Sequence, residues 1–149
     1  MDLSQEIKFN SVPLIDELQI YTDGASRDNP GKSAIAFRIL DRSGKLIIEH
    51  KEYIGIATNN EAEYKAMIKA LETAKKYSNG KVRVYSDSQL VVNQMNGDWR
   101  IKDKELKKLS QILKNKENAF KSVTYNNVNR EHKNLKIVDA LANEALDGS

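Results

Sequence analysis

The sequence predicts an α/β layer fold built on a mixed sheet, with helices covering both faces. Three observations carry this expectation. Between residues 18 and 54 three segments alternate apolar and polar side chains and are joined by short turns, which favours antiparallel pairing. From residue 59 onward helical and strand patterns alternate, which adds further strands to the same layer. No linker-like stretch divides the chain, so residues 17–149 are expected to form a single domain behind a lead-in of residues 1–16.

The lead-in mixes polar, acidic and scattered apolar residues around Pro13, with room for a short extra strand. Leu18, Ile20 and Thr22 then alternate with Gln19, Tyr21 and Asp23, which is strand periodicity. Asp23 is expected to end this strand, because Gly24 opens a stretch to Lys32 that contains the turn signal Asn29-Pro30-Gly31. A second strand follows over Ser33–Leu40 and a third over Lys45–Ile54, with Asp41-Arg42-Ser43-Gly44 as the hairpin turn between them. Asn59–Ser78 has the clearest helical spacing: Ala62, Ala66, Ala70 and Ala74 recur every fourth residue, and Asn79-Gly80 stops the run. Lys81–Ser86 reads as a strand, then Ser88–Asn96 and Asp103–Ala119 as helices separated at Gly97, with Asp103 a suitable N-cap. Ser122–Val128 is the last strand, and Ile137–Leu146 the last helix.

Composition narrows the chemistry. The 149 residues contain no cysteine, which excludes disulfides, a thiolate nucleophile and cysteine-held metals. Only His50 and His132 are present, so a multi-histidine metal site is not expected and carboxylates are left as the main ligands. Hard oxygen ligands favour Mg²⁺ or Mn²⁺. The net charge of +3 attracts phosphate backbones only if the positive residues cluster. Met1–Asp16 lacks the basic start and apolar run of a signal peptide, and no stretch approaches the length of a membrane span. The expectation is a soluble cytoplasmic protein with no membrane contact.

Four acids stand near the ends of expected elements: Asp23 in YTDGAS, Glu63 in TNNEAEY, Asp87 in YSDSQL and Asp139 in IVDALA. Each has an ordinary explanation. Asp23-Gly24 suits a turn, Asp87 suits a helix N-cap, and Asp139 in the first turn of the last helix suits its dipole. Glu63 fits such an explanation least, because positions 63, 66, 67, 70, 71 and 74 share one helical face and the glutamate lies along the apolar stripe. Burying a carboxylate is costly without compensation, and a cation compensates it. Four carboxylates converging beside a sheet would repel one another unless a cation held them, which points to a divalent-metal site.

DGASRDNPG, TNNEAEY, SDSQLVV and the REH…DALA stretch together resemble a type 1 ribonuclease H, in the family's order and at compatible spacing over about residues 18–146. The resemblance implies a five-stranded mixed sheet of order 3-2-1-4-5 flanked by helices. It implies an endonuclease that hydrolyses the RNA strand of an RNA–DNA hybrid, leaving 5′-phosphate and 3′-hydroxyl ends. Two Mg²⁺ ions with substrate, or Mn²⁺, would be held by Asp23, Glu63, Asp87 and Asp139. Glu63 would also accept a hydrogen bond from a substrate 2′-hydroxyl, the group that separates RNA from DNA. Gly24, Asn29, Thr58, Asn59, Asn60 and Gln89 match positions that touch the hybrid; the alternative roles are turn formation for Asn29 and helix capping for Thr58 or Asn59.

The sequence departs from the family pattern in two places. Many relatives carry a loop histidine before the last aspartate that helps product leave; here either Arg130 or His132 fills that place, and extra residues before Asp139 blur the alignment. After Met95 there is little room for the basic protrusion of some relatives. Lys102, Lys104, Lys107, Lys108, Lys114 and Lys116 instead make the following helix and its approach basic, as either hybrid contact or solvated surface. Trp99 either stacks on a deoxyribose or packs against the protein. The functional alternatives are a catalytically silent hybrid-binding module and another nuclease of the same fold. The protein is expected to act as a monomer.

Overall fold

The computed structural model describes residues 14–149; the expected extra strand in the lead-in and its Pro13 lie outside the described residues. Five strands form one sheet: β1 (Glu17–Ser26), β2 (Gly31–Asp41), β3 (Leu46–Ala57), β4 (Lys81–Ser86) and β5 (Ser122–Asn127). The order across the sheet is β3-β2-β1-β4-β5, as the family resemblance implies. β1 pairs antiparallel with β2 and β2 with β3, whereas β4 runs parallel to both β1 and β5. Four helices accompany them: α1 (Asn59–Ala74), α2 (Gln89–Met95), α3 (Lys104–Lys116) and α4 (Lys133–Asp147).

Strand periodicity divides the sheet's side chains between two cores. On one face Leu18, Ile20, Phe37, Ile39, Val82 and Val84 pack with Met67 and Leu71 of α1, Val91 and Val92 of α2, and Leu106, Leu109 and Leu113 of α3. On the other face Tyr21, Ala36 and Leu40 meet Leu135, Val138 and Ala142 of α4. Helices therefore cover both faces, as the alternating pattern requires. The end of α4 is tied to the sheet side by Lys51–Glu144 at 2.8 Å and to the β1–β2 loop by Arg27–Asp147 at 2.6 Å.

Several boundaries differ from the sequence reading: β3, for example, runs to Ala57 rather than Ile54, and α3 ends at Lys116 rather than Ala119. β1 does not stop at Asp23 before a glycine turn. It runs on to Ser26, because Asp23, Gly24, Ala25 and Ser26 keep their antiparallel partners Ala36, Ile35, Ala34 and Ser33 on β2. α1 ends at Ala74 rather than Ser78; the next residues close tighter turns back onto Ala74, leaving the Tyr77 carbonyl free to accept from the Ile15 N–H at 2.7 Å. α4 begins four residues before Ile137, because His132 caps it, so Asp139 lies in the second turn and not the first. Its placement therefore owes little to the helix dipole, which acts mainly on the first turn.

Candidate active site

Parallel register sets the first pair of acids side by side. Tyr21 of β1 is the neighbour of Tyr85 of β4, and their rings stack with centroids 4.8 Å apart. Two residues further on come Asp23, still within β1, and Asp87, just past the end of β4, so that their carboxylates approach one another at the strand ends. Ser88 takes the N-cap of α2, its hydroxyl accepting from the Val91 N–H, so the Asp87 carboxylate is not spent on capping.

Glu63 arrives from the other side of the sheet. The capping box of α1, in which Thr58 and Glu61 each accept the other's backbone N–H, fixes the helix start. Glu63 then projects with Ala66, Met67, Ala70, Leu71 and Ala74 along the buried face, as the helical spacing predicts. Gly24 makes the approach possible: a methyl group there would fall on the Ala62 carbonyl and the Glu63 amide of α1. With that space open, the Gly24 N–H donates to Glu63 Oε1 at 2.6 Å.

The result is a group of carboxylate oxygens from Asp23, Glu63 and Asp87 that lie within 4.8 Å of one another. Asp23 and Glu63 are only 7% and 8% exposed, and Asp23 Oδ2 has no hydrogen-bond partner. Burial, then the negative charge of Asp87 and Asp139, pushes the Asp23 carboxyl up to about 8. Burial and the Asp23 and Asp87 charges push Glu63 well above the usual carboxylate range, against the Gly24 hydrogen bond. Asp87 is raised mainly by burial, with the Arg130 charge opposing. An orphaned buried oxygen among acids that resist ionising fits a hard divalent cation, which would satisfy the oxygen and offset the repulsion.

These acids line a cleft of about 700 Å³ at the carboxyl ends of the parallel strands, the usual position for ligands on an open α/β sheet. Asp139, on α4, lines the same cleft but is exposed and stands outside the close group of three. Gly24, Asn59, Asn60 and Gln89 are on its wall or rim. Asn29 and Thr58 are not; they border a neighbouring hollow with Asn60, Glu61 and Asp103. Three of these side chains also have structural partners: Thr58 caps α1, Asn29 Oδ1 accepts from the Asn59 N–H at 2.9 Å, and Asn59 Oδ1 from the Ser26 N–H at 2.7 Å.

The loop before α4 separates the two candidates there. Arg130 lines the cleft, its Nε 3.8 Å from Asp87 Oδ2, whereas His132 is not part of the lining. Sequence reasoning missed Asn127, Asn129 and Glu131, which also line the cleft. Their signal is not local: Asn127 ends β5, parallel to β4, so it and the residues that follow emerge on the same edge as Asp87.

Comparison with known proteins agrees with this geometry. The model of a family described as reverse transcriptase-like matches residues 21–145. A ribonuclease HI of Halobacterium salinarum is 39% identical over 127 residues, or 85% of this chain; the chain spans 63% of that relative's length. The crystal structure of RNase H1 from H. salinarum superposes with a TM-score of 0.85 at 37% identity, covering 89% of this chain and 99% of that one. LC11-RNase H1, crystallised in complex with an RNA/DNA hybrid, superposes with a TM-score of 0.82 at 36% identity, covering 88% and 97%.

Proposed function

The chain belongs to the type 1 ribonuclease H family, and on that premise we propose that it is an endonuclease cutting the RNA strand of RNA–DNA hybrids. The observation that carries this reading is the close trio of the buried Asp23 and Glu63 with the half-buried Asp87, with an unpartnered Asp23 oxygen beside an open cleft. Asp139 on the cleft's α4 side completes the proposed metal-holding set. Magnesium is the proposed ion and manganese its substitute, because the donors are all carboxylate oxygens. When bound, such ions supply a water activated at neutral pH and positive charge beside the phosphate and the leaving 3′ oxygen.

The chain's own residues do the rest. Asp23 is held in β1 by its pairing with Ala36 of β2, so its carboxylate is presented from a strand rather than from a loop. Glu63 commits one oxygen to Gly24, which leaves the other to face the ion and a substrate 2′-hydroxyl. Asn60 and Gln89 stand exposed on the cleft rim, where amides can donate to sugar and phosphate oxygens without adding charge. Arg130, rather than His132, supplies the mobile positive charge that meets the scissile phosphate and helps it leave as product. Among the described residues no helix is long and apolar enough to cross a membrane, and a monomer acting in the cytoplasm accompanies the proposal.

The test is a cleavage assay on labelled RNA–DNA, RNA–RNA and DNA–DNA duplexes, with and without Mg²⁺. The expected result is metal-dependent cutting of the RNA strand of the hybrid alone, giving 5′-phosphate ends. A hybrid with 2′-deoxynucleotides around the scissile bond should resist. Binding without cutting would identify a silent hybrid-binding module, and cutting of all-DNA duplex would remove the proposed sugar specificity.

A further inference from the structure

We infer that His132 is a positioning residue, which holds the loop that presents Arg130 to the cleft; the inference rests on the role proposed for Arg130 and adds how that role is set up. The ring of His132 is already engaged. Its Nδ1 accepts from the Asn134 N–H at 3.1 Å and caps α4. Its face stacks on Tyr21, with centroids 5.0 Å apart and planes 24° apart. Neither interaction leaves the ring aimed at the acids.

Both ends of the loop are tied through this residue. The His132 N–H donates to the Asn129 carbonyl at 2.9 Å, which closes a four-residue turn with Arg130 and Glu131 at its centre. Asn129 Oδ1 accepts from the Glu131 N–H at 2.8 Å and narrows the same turn. On the far side the His132 carbonyl accepts from the Lys136 N–H at 3.0 Å and starts the helix ladder. Arg130 could not order this turn by itself. Its side chain is 78% exposed, and the contact with Asp87 at 3.8 Å is long and solvent-screened.

The stacking partner matters as much as the cap. Tyr21 stands one side-chain repeat before Asp23 on β1, and its stacking partner Tyr85 lies two residues before Asp87, which follows the end of β4. A ring clamped to Tyr21 therefore references the Arg130 loop to the strand pair that leads into two of the acids. The extra residues before Asp139 leave a longer connection to control, and His132 gives it a fixed point.

Three substitutions separate the parts. His132→Asn keeps a side-chain acceptor at the cap and drops the stack; His132→Phe keeps the stack and drops the acceptor; His132→Ala drops both. Hybrid-cleavage kcat is expected to fall about fivefold in His132→Ala, the size of a lost N-cap interaction, with KM little changed. His132→Asn should recover most of that loss. In an Arg130→Ala background His132→Ala should cost nothing further, because the loop then has no guanidinium to place. Amide exchange in the free protein gives a readout independent of turnover: the Asn134 N–H should exchange faster in His132→Ala and His132→Phe and keep its protection in His132→Asn. Where His132→Ala fails to fold, the Asn and Phe variants carry the same comparison. A further loss in the double variant, or wild-type kcat in folded His132→Ala while Arg130→Ala is impaired, overturns this inference alone. Wild-type kcat in Arg130→Ala overturns the role of Arg130 and this inference with it, whatever amide exchange shows.

Discussion

Asp23 and Glu63 are 7% and 8% exposed and sit on a paired strand and a helix start, whereas Asp139 and Arg130 reach the same cleft from the exposed side of a helix and from a loop. The first pair is fixed by contacts that also hold the core together. Of the second pair, Asp139 rides on the outer side of α4, which packs through Leu135, Val138 and Ala142, and Arg130 is held by a cap, a turn and a ring stack. One cleft is thus assembled from a wall of buried acids and a rim of exposed groups, of which the Arg130 loop is tied least firmly to the core. Charge follows the same division: burial drives the carboxyl shifts of the wall, and the Arg130 charge opposes those of Asp23 and Asp87 from the rim.

The largest expected effect lies in the wall. Asp23→Asn should lower hybrid cleavage by a thousandfold or more, on the order of losing a principal charge-stabilising group, while the protein stays folded. The same substitution should be neutral or stabilising in EDTA. Its carboxyl titrates near 3.8 when unfolded and is pushed up to about 8 when folded, so the native state binds the extra proton between those values. The contribution is therefore full below about pH 4 and is lost as pH rises through about 8. Thermal melts of the metal-free protein should show stability falling over that window, Asp23→Asn should flatten the slope, and added Mg²⁺ should restore stability most at the alkaline end. A large loss of stability of the variant in EDTA would show that Asp23 is mainly structural.

Next comes Gly24→Ala. The added methyl meets α1 backbone, which cannot swing aside as a side chain can, so we expect at least about 2 kcal/mol of destabilisation by denaturant titration and a matching loss of cleavage. Wild-type stability would mean that the strand and helix are not in rigid contact.

A smaller effect is expected at the rim. Asp139→Asn should reduce kcat on the order of a hundredfold, less than Asp23→Asn, because an exposed carboxylate leaves its place to be filled by water. Equal losses for the two variants would erase the distinction between wall and rim.

The smallest concerns the surface beyond both. Combined replacement of Lys104, Lys107 and Lys108 by Ala on α3 should raise KM a few fold and flatten its salt dependence, with kcat little changed. Unchanged KM and salt slope would mark α3 as solvated surface, leaving binding to the amide residues around the cleft.

The same division decides how much could be read from the sequence. The elements and the burial of Glu63 were legible because period-2 and period-3.6 patterns constrain them, Glu63 lying among Ala66, Met67 and Leu71, whereas the strand order came only with the family resemblance. The run of β1 past Gly24 was not legible, since a glycine after an aspartate reads as a turn unless its pairing with Ile35 is known. Nor was the start of α4. His132 is not a common N-cap residue, and the ring that makes it one is held by Tyr21, more than a hundred residues away in the chain. Asn127 and Asn129 escaped notice because their place depends on β5 lying parallel to β4, which local sequence does not report.

The backbone contact at Gly24 has a bearing on how this protein can change over generations. The spacing between Asp23 and Glu63 is fixed where a strand touches a helix main chain to main chain, not by the bulk of any side chain. Substitutions among Met67, Ile68 and Leu71 can tilt the far end of α1 and leave its first turn seated. The hydrophobic interior is thus free to drift while the acidic pair inherits a constant separation. A lineage that lost the glycine would have to rebuild both elements together.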